Sequence, residues 1–490
     1  MLPVFSLPGK YGIGGFSKES LKFIDFLHGS GQKYWQILPL GPTSYGDSPY
    51  QAFSTFALNP YFIDPDTLGK KGLVSRGELN EIEWTGKKDD IDYSWLYETR
   101  FVFLKKAFSR FKKTPCEGYE EFKKKNEDWV YDYALFMALK DKFGGVSFYE
   151  WPEDIRKREP GSLERYRTEL LNETEFYIFL QYEAYSEWLS VKHYANERGI
   201  KIIGDIPIYV SSDSSDVWTG PELFRMDEEG RPARVAGCPP DGFSADGQLW
   251  GNPLYNWDYH KGTGYKWWCR RMEKCSEIAD VVRIDHFRGF DEYYSIPAGD
   301  ATARYGRWEK GPGLELFEAI KGQLGELEII AEDLGFITDS VRRLVKCTGY
   351  PNMKVLEFAF DSRDEAGPSE YLPYSYDKNC VVYTGTHDNE TLKGWLSSVK
   401  PEEVRMVRRY TNLLRGTRDE LVTALIRAAE SSTARLAIIP FQDWLKLGNE
   451  ARINHPSTLG GNWRFRLKGG EFKADLKREI KEITTIYGRS

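Results

Sequence analysis

The sequence contains few cysteines, and their positions argue against a metal-binding or disulfide-linked framework. Six cysteines are scattered over 490 residues, at positions 116, 238, 269, 275, 347 and 380. No two of them form a Cys-X-X-Cys pair, and no histidine lies near them at the spacing of metal ligands. This pattern favours reduced thiols in a cytoplasmic protein.

Long apolar runs and an excess of positive charge are also missing. No stretch approaches the ~20 apolar residues that a membrane span requires. The first fifteen residues, MLPVFSLPGKYGIGG, hold only a short apolar run without a basic leader, unlike a signal peptide. The formal net charge of -7 is spread along the chain, which argues against nucleic acids and anionic membranes as partners.

What the sequence does contain is typical of a globular protein with a substantial core. Hydrophobic residues make up 41% of the chain and charged residues 29%. Aromatic residues are frequent, at 15%, with 15 Trp and 30 Tyr. We expect most of them in the core. We expect others to line a sugar-binding site, because the apolar face of a pyranose stacks on an aromatic ring.

The apolar pattern predicts a (β/α)8 TIM barrel. Runs that are apolar throughout, without alternation, are typical of parallel strands buried on both faces. Amphipathic helical patterns lie between several of the runs, at 172–198, 314–324, 339–348 and 401–414. Alternating strands and helices of this kind favour a barrel. The predicted strands are 34–40, 61–64, 201–207, 280–285, 327–333, 353–358, 380–385 and 436–440.

Two long insertions interrupt the alternation. A charged, mostly helical segment occupies about 65–171, and a Gly/Pro/Asp-rich stretch with little periodicity occupies about 211–259. Both follow predicted barrel strands, so we expect them over the catalytic face, the second as a loop-rich lid. Since repeats, low-complexity tracts and linkers are lacking, we expect one catalytic domain over 1–490.

Polar residues cluster where the predicted strands end. In a barrel these ends converge on one mouth, where barrel active sites lie. A single aspartate at a strand end is more often a turn or helix cap than a catalyst. Four carboxylate-rich ends without a metal-binding histidine are harder to explain structurally. The residues at these ends are Asp205, Arg283, Asp285, Glu332, Asp333, His387 and Asp388.

The spacing of these charges indicates retaining glycoside chemistry. Arg283 and Asp285 are two residues apart on a strand, so their side chains point the same way. An arginine there would lower the pKa of the Asp285 carboxyl and keep it ionised, as a nucleophile requires. Glu332 would act as an acid if an apolar niche or nearby negative charge raised its pKa. One ionised and one protonated carboxyl are the groups that retaining glycosidases use.

The sequence resembles the 4-α-glucanotransferases known as amylomaltases or disproportionating enzymes, glycoside hydrolase family 77, which are related to the α-amylase superfamily. The resemblance runs nearly from end to end. Together the motifs are highly specific, although any one alone would be weak. They are SLPGKYGIG (6–14), GDSPYQAFSTFALNPYFID (46–64), GDIPIYV (204–210), GQLWGNPLYNWD (247–258), VRIDHFRGF (282–290), AEDLGF (331–336), YTGTHDNET (383–391) and NHPSTLGGNWRFR (454–466).

The resemblance implies a role for each matching residue. Asp285 corresponds to the nucleophile and Glu332 to the acid/base. Asp388 corresponds to a third catalytic carboxylate, which binds sugar hydroxyls and favours a distorted ring, and His387 to a hydrogen-bond donor in the transition state. The substrate-binding positions implied are Ser48, Tyr50, Asp205, Gln248, Trp250, Arg283, His387 and Asn454. For His286 and Arg288, support of the loop around Asp285 and contact with the site are equally compatible with the sequence.

The function implied is transfer of an α-1,4-glucan segment from a glucan or maltooligosaccharide donor to glucose or another glucan, without metal or cofactor. The chain ends near its last predicted strand, so we expect no C-terminal β-domain of the α-amylase kind, which favours the transferase. An α-1,4-glucan hydrolase with the same carboxylates is the main alternative, because the two differ only in their acceptor subsites. A non-catalytic glucan-binding protein would need no nucleophile, and no Gly-rich phosphate loop or histidine cluster favours an unrelated barrel enzyme.

Overall fold

The computed structural model describes residues 1–490 except 45, 83, 85–86, 241–244, 363–368 and 459. Its described residues form two sheets. Seven strands make a parallel sheet in the order β1-β2-β5-β8-β9-β10-β11, and four make a second sheet in the order β4-β3-β6-β7. The strands are β1 Tyr34–Gln36, β2 Lys201–Pro207, β3 Arg234–Cys238, β4 Gln248–Pro253, β5 Val281–Asp285, β6 Glu292–Pro297, β7 Arg307–Lys310, β8 Ile329–Ala331, β9 Asn352–Val355, β10 Cys380–Tyr383 and β11 Leu436–Ile438.

The seven-stranded sheet is a nearly closed barrel of the (β/α)8 type, as predicted. At its seam, the first two residues of the chain lie between β11 and β1. The Leu2 N–H donates to the Gln36 carbonyl at 3.0 Å, and the Phe441 N–H donates to the Met1 carbonyl at 2.9 Å. Residues 1–2 therefore bridge the two edge strands.

The predicted strand at 61–64 is wrong. A 3-10 helix, Pro60–Phe62, occupies this position, and the Asn59 side chain caps it by accepting the Tyr61 N–H at 3.0 Å. Proline at the first helical position is compatible with this turn but not with a central strand. Asp64 ends the segment by capping the following helix, where its side chain accepts the N–H groups of residues 66 and 67.

Both faces of the barrel strands are buried, which explains their apolar composition. Inside the barrel, one cluster contains Ile203, Val281, Ile330, Met353, Val381, Tyr383 and Ile438. Alternate residues of the same strands, such as Ile202 and Val282, belong to the larger core shared with the helices. This is the two-sided burial expected of parallel strands covered by helices.

Helices surround the barrel and fill the segment between β1 and β2. Several begin at a side-chain cap; Thr417, for example, forms a capping box with Glu420. The helices are α1 Lys18–Gly29, α2 Pro65–Lys70, α3 Arg76–Asn80, α4 Tyr93–Phe111, α5 Glu117–Lys125, α6 Val130–Lys142, α7 Glu153–Arg156, α8 Pro160–Glu169, α9 Leu171–Glu197, α10 Ser215–Thr219, α11 Trp257–Gly262, α12 Lys266–Ile278, α13 Leu314–Leu324, α14 Asp339–Thr348, α15 Leu392–Ser398, α16 Pro401–Tyr410, α17 Arg418–Glu430, α18 Phe441–Trp444 and α19 Ala474–Ile486. Across the described parts of the chain, no helix has the length and apolar character needed to cross a bilayer.

The second sheet is built from two excursions of the barrel. Strands β3 and β4 follow β2, whereas β6 and β7 follow β5, and β3 pairs antiparallel with β6. The stretch 211–259, which shows little periodicity in sequence, therefore contributes two strands and two short helices, α10 and the start of α11. Since both excursions leave the carboxyl ends of barrel strands, the second sheet stands beside the barrel mouth.

Candidate active site

A buried arginine links two carboxylates at the barrel mouth. Arg283 on β5 lies beside Asp205 on β2, and the two are Cα partners in the parallel ladder. The Arg283 Nη1 atom donates to the Asp205 Oδ1 atom at 2.7 Å and to the Asp285 Oδ1 atom at 3.0 Å. A guanidinium that is only 3% exposed needs such charged partners, since an unpaired buried charge is strongly destabilising.

Further contacts connect Arg283 and Asp205 to three distant segments of the chain. The Tyr50 hydroxyl donates to the Asp205 Oδ2 atom at 2.8 Å, and its ring stacks on His387 with centroids 4.8 Å apart. The His387 Nε2 atom lies 3.3 Å from the Asp388 Oδ1 atom. Asn454 donates from Nδ2 to the same Oδ1 atom at 2.6 Å. Seven residues predicted from five separate motifs are thus joined in one network.

Glu332 follows β8, the strand next to β5, and its carboxylate is held by backbone groups. Its Oε2 atom accepts the His286 N–H at 2.6 Å, and its Oε1 atom accepts the Leu334 N–H at 2.7 Å. His286 has a left-handed backbone, with φ 56°. This conformation, uncommon for a residue with a side chain, aims its N–H at Glu332 immediately after Asp285.

Burial and neighbouring charges act differently on the pKa values of the two central carboxyls, Asp285 and Glu332. Burial raises the pKa of Glu332 to about 8, and the negative charge of Asp285 adds to the rise. Burial also raises the pKa of Asp285, although Arg283 opposes that rise. The expectation that Arg283 sets the net direction of the Asp285 shift is therefore wrong: desolvation outweighs it. Asp285 still ionises before Glu332, because Asp285 contacts the guanidinium directly and Glu332 does not.

The remaining predicted residues reach the same mouth from loops and the second sheet. The Ser48 Oγ atom accepts the Tyr50 N–H at 3.3 Å. On β4, the Trp250 Nε1 atom donates to the Gln248 Oε1 atom at 3.1 Å. The Trp250 ring meets His286 edge-on, with centroids 4.8 Å apart. Burial, with a smaller contribution from Arg288, lowers the pKa of His286 to about 3, so this imidazole is neutral.

Two buried carboxyls at strand ends, Glu357 and Asp443, were not predicted from the sequence. Glu357 follows β9, and burial raises its pKa well above the usual range. Asp443 follows β11 and accepts the Thr384 hydroxyl at 2.8 Å and the Leu392 N–H at 2.8 Å. The Asp443 bonds fix both ends of the segment that carries His387. The rule that found Asp205 and Glu332, a carboxylate directly after an apolar run, would also have found Glu357.

Within the described ranges, no group of three or more His, Cys, Asp or Glu side chains is arranged to hold a metal ion, and no disulfide joins the cysteines. A cavity of about 340 Å³ lies between the amino ends of β1 and β11, lined among others by Tyr34, Glu430 and Leu436. It contains none of the predicted site residues. The carboxylate network at the mouth is therefore the candidate site.

Comparison with known proteins identifies the group to which this site belongs. The family model described as 4-alpha-glucanotransferase matches residues 2–473. The chain belongs to the 4-alpha-glucanotransferase family. It is 48% identical to the 4-alpha-glucanotransferase of Clostridium butyricum, over 99% of both chains. It is 46% identical to that of Thermus thermophilus, over 99% of this chain and 97% of the relative.

Solved structures of family members share the fold. The structure of amylomaltase from Streptococcus agalactiae in complex with acarbose superposes with a TM-score of 0.97 at 42% identity, covering 100% of this chain and 98% of the other. Amylomaltase from Corynebacterium glutamicum, 18% identical, superposes with a TM-score of 0.79 over 99% of this chain and 74% of the other. At that identity, the likeness to the Corynebacterium enzyme concerns the fold alone.

Proposed function

We propose that the chain is a retaining 4-α-glucanotransferase, which transfers a segment of an α-1,4-glucan to the 4-hydroxyl of glucose or another glucan. Family membership supports the reaction class. The observation that carries the mechanism is the pair of carboxyls on adjacent strands β5 and β8. Asp285 is bonded to Arg283 at 3.0 Å, whereas burial and the Asp285 charge raise the pKa of Glu332 to about 8. A nucleophile and a general acid are thereby available at the same pH.

In the first step, the Asp285 carboxylate attacks the anomeric carbon of the donor. The glycosidic C–O bond breaks as Glu332 donates its proton to the departing oxygen. The products are a β-glycosyl ester on Asp285, a departing chain with a free 4-hydroxyl, and an ionised Glu332. Once Asp285 is esterified its charge is lost, so the pKa of Glu332 falls, as its second role requires.

In the second step, Glu332 acts as a base. Its carboxylate removes the proton of the acceptor 4-hydroxyl as that oxygen attacks the anomeric carbon. The ester bond to Asp285 breaks and an α-1,4 bond forms. Both carboxyls return to their initial protonation states. Two inversions at the anomeric carbon give net retention.

We propose that the surrounding network binds the sugar substrates. Asp388 is the third catalytic carboxylate, and His387 donates a hydrogen bond in the transition state. The other substrate-binding residues are Ser48, Tyr50, Asp205, Arg283, Gln248, Trp250 and Asn454. The hydrogen bonds among Tyr50, Asp205 and Arg283 support this assignment, because they fix side chains around Asp285 before substrate arrives.

An acceptor glucan must compete with water for the ester intermediate. Water is at ~55 M, but effective molarities of oriented groups reach ~10⁵–10⁸ M, so positioning is sufficient. We propose that the segment 211–259 acts as a lid that excludes water and holds the acceptor. Its 238–247 tract lies in part, at 241–244, outside the described residues.

We also propose a cytoplasmic location and one catalytic domain over 1–490, with insertions at about 65–171 and 211–259. The scattered cysteines, which form no Cys-X-X-Cys pair, support the location. The pairing of β3 with β6 supports the single domain, because it ties the second insertion to a later part of the barrel.

An α-1,4-glucan hydrolase is the alternative, since it would use the same two carboxyls. Incubation with maltotriose separates the two activities. A transferase yields glucose and longer oligomers while the total number of reducing ends stays constant. A rise in reducing ends equal to the bonds cleaved would contradict the proposal.

A further inference from the structure

Two aromatic rings from different parts of the chain stack on each other. Trp308 lies on β7, at the edge of the second sheet, and Phe336 lies in the loop after β8. Their ring centroids are 6.3 Å apart, and the rings are nearly parallel, at 19°. Phe336 is 67% exposed, so much of its ring is accessible to a ligand.

A buried arginine holds the two rings in place. The Arg288 guanidinium lies 3.9 Å from the Trp308 ring centroid and 5.9 Å from that of Phe336. Its Nη1 atom donates to the Phe336 carbonyl. Among the described residues, its Nε and Nη2 atoms have no hydrogen-bond partner, although Arg288 is only 3% exposed. The guanidinium thus contacts both rings and the Phe336 backbone, which ties the three groups together.

The rings lie on the Glu332 side of the site. Arg288 is two residues after His286, and Phe336 is four residues after Glu332. The Glu332 carboxylate is bonded to the backbone of the same two segments, at His286 and Leu334. Tyr50 and His387, by contrast, connect to Asp285 through Asp205 and Arg283. The acid/base acts on the oxygen of the leaving chain and then of the acceptor, so its side of the site is the acceptor side.

We propose that Phe336 and Trp308, held by Arg288, form an acceptor platform that binds oligosaccharide acceptors in preference to glucose. The proposal rests on the transferase function and deepens it. Because the two rings are stacked, the surface open to a sugar is the exposed part of the Phe336 ring, with Trp308 packed against it. An acceptor of two or more glucose units gains contact that glucose alone cannot make. Phe336 is the more accessible ring, so it contributes most of the contact.

The test uses α-maltotriosyl fluoride as donor, with maltotriose or glucose as acceptor, and the full-length enzyme. Fluoride leaves without occupying the acceptor side, so donor and acceptor affinities separate. For Phe336→Ala we expect the KM for maltotriose as acceptor to rise about three- to tenfold, as for loss of one aromatic contact. The KM for glucose should rise less, and the KM for the donor should stay within about twofold of wild type.

Two matched control variants make the result decisive. Phe336→Tyr keeps the ring and should restore the acceptor KM. Leu414→Ala removes an equally exposed apolar side chain (66%) on the turn between α16 and α17, and should leave all three KM values unchanged. Melting temperatures establish that each variant is folded.

Two outcomes overturn the platform. One is a Phe336→Ala enzyme whose acceptor KM is unchanged. The other is a variant whose donor and acceptor KM values rise alike, because Phe336 then supports the whole mouth. If the proposed transferase function itself is wrong, the wild-type enzyme will release fluoride and maltotriose without forming longer glucans. This result is independent of the Phe336 variants.

Discussion

At the residue scale, the site depends on charges that are buried in pairs. Arg283 contacts both Asp205 and Asp285, and all three lie on adjacent strands β2 and β5. Each charge is stabilised only while its partners are present, because an isolated buried charge costs several kcal/mol. The nucleophile is therefore preorganised by the same contacts that keep the barrel mouth stable.

Replacing the nucleophile tests the covalent step directly. We expect Asp285→Ala to lower kcat by more than about 10³-fold, since loss of covalent catalysis costs several kcal/mol of transition-state stabilisation. Glucan binding, measured by calorimetry, should persist because Tyr50, His387 and Asp388 remain. Activity within about tenfold of wild type would remove Asp285 from the nucleophile role.

The pH dependence of kcat/KM tests the acid. Glu332 must be protonated and Asp285 ionised in the free enzyme. Because burial and the Asp285 charge raise the pKa of Glu332 to about 8, the active form persists up to that pH. Above about pH 8 we expect the rate to fall roughly tenfold per pH unit. The acid limb, governed by Asp285, should lie above the usual carboxyl range because burial raises its pKa.

Glu332→Gln provides the control for this profile. Glutamine cannot supply or lose the proton, so the residual rate should be low and should lack the alkaline limb. An alkaline limb that remains near pH 8 in Glu332→Gln would assign the titration to another group. The two limbs of the wild-type profile belong to the coupled pair of carboxyls.

At the scale of elements, the sequence predicted seven barrel strands but misplaced an eighth. The segment 61–64 is apolar like the others, yet Asn59 caps a 3-10 turn at Pro60. Local capping chemistry thus outweighed the apolar pattern. The antiparallel sheet was missed for a different reason. Strand β3 pairs with β6, about sixty residues away, and such a pairing leaves no local signal.

Trp250 on β4 provides a direct test of acceptor binding. Both reactions of the glycosyl–Asp285 ester share the carboxyls and differ only in what attacks it. We expect Trp250→Ala to weaken acceptor binding by about 1–3 kcal/mol, or roughly 5- to 150-fold, and so to lower transfer more than hydrolysis. Glucose, oligomers and reducing ends measured in one maltotriose digest give both rates.

Leu249 is the matched control for this test. It is the next residue on β4, so its side chain points to the opposite face, and it is 41% exposed. Leu249→Ala should leave the ratio of transfer to hydrolysis unchanged. If transfer and hydrolysis fall by equal factors in Trp250→Ala, Trp250 serves the donor side or only packs against His286.

At the scale of the whole molecule, the mouth gathers residues from both ends of the chain. Tyr50 and Asn454 are about four hundred residues apart in sequence, and both connect to the network around Asp285. The motifs predicted these members one by one. The sequence could not give the net pKa shift of Asp285, because that depends on desolvation by the assembled barrel. Nor could it give the contact between Arg288, Trp308 and Phe336, which joins the excursion after β5 to the loop after β8.

Charge balance in the assembled molecule leads to an expectation about metals. Arg283 bonds to both the Asp205 and the Asp285 carboxylate, which leaves a single net negative charge on the three side chains, and the protonated Glu332 adds none. A divalent cation among these groups would be repelled by the guanidinium already bonded to both aspartates. We therefore expect the wild-type enzyme, dialysed against EDTA, to keep its maltotriose turnover within about twofold, since no transition-state charge is removed.

The same dialysed sample should be assayed with and without added Mg²⁺, Ca²⁺ and Zn²⁺, and its melting temperature recorded. Loss of turnover that one of these ions restores, at an unchanged melting temperature, would place a metal in the catalytic step and contradict the carboxyl–arginine mechanism. Loss of turnover together with a lowered melting temperature would instead identify an ion that stabilises the fold, and the catalytic assignment of Asp285 and Glu332 would then be tested on the ion-loaded enzyme by the variants above.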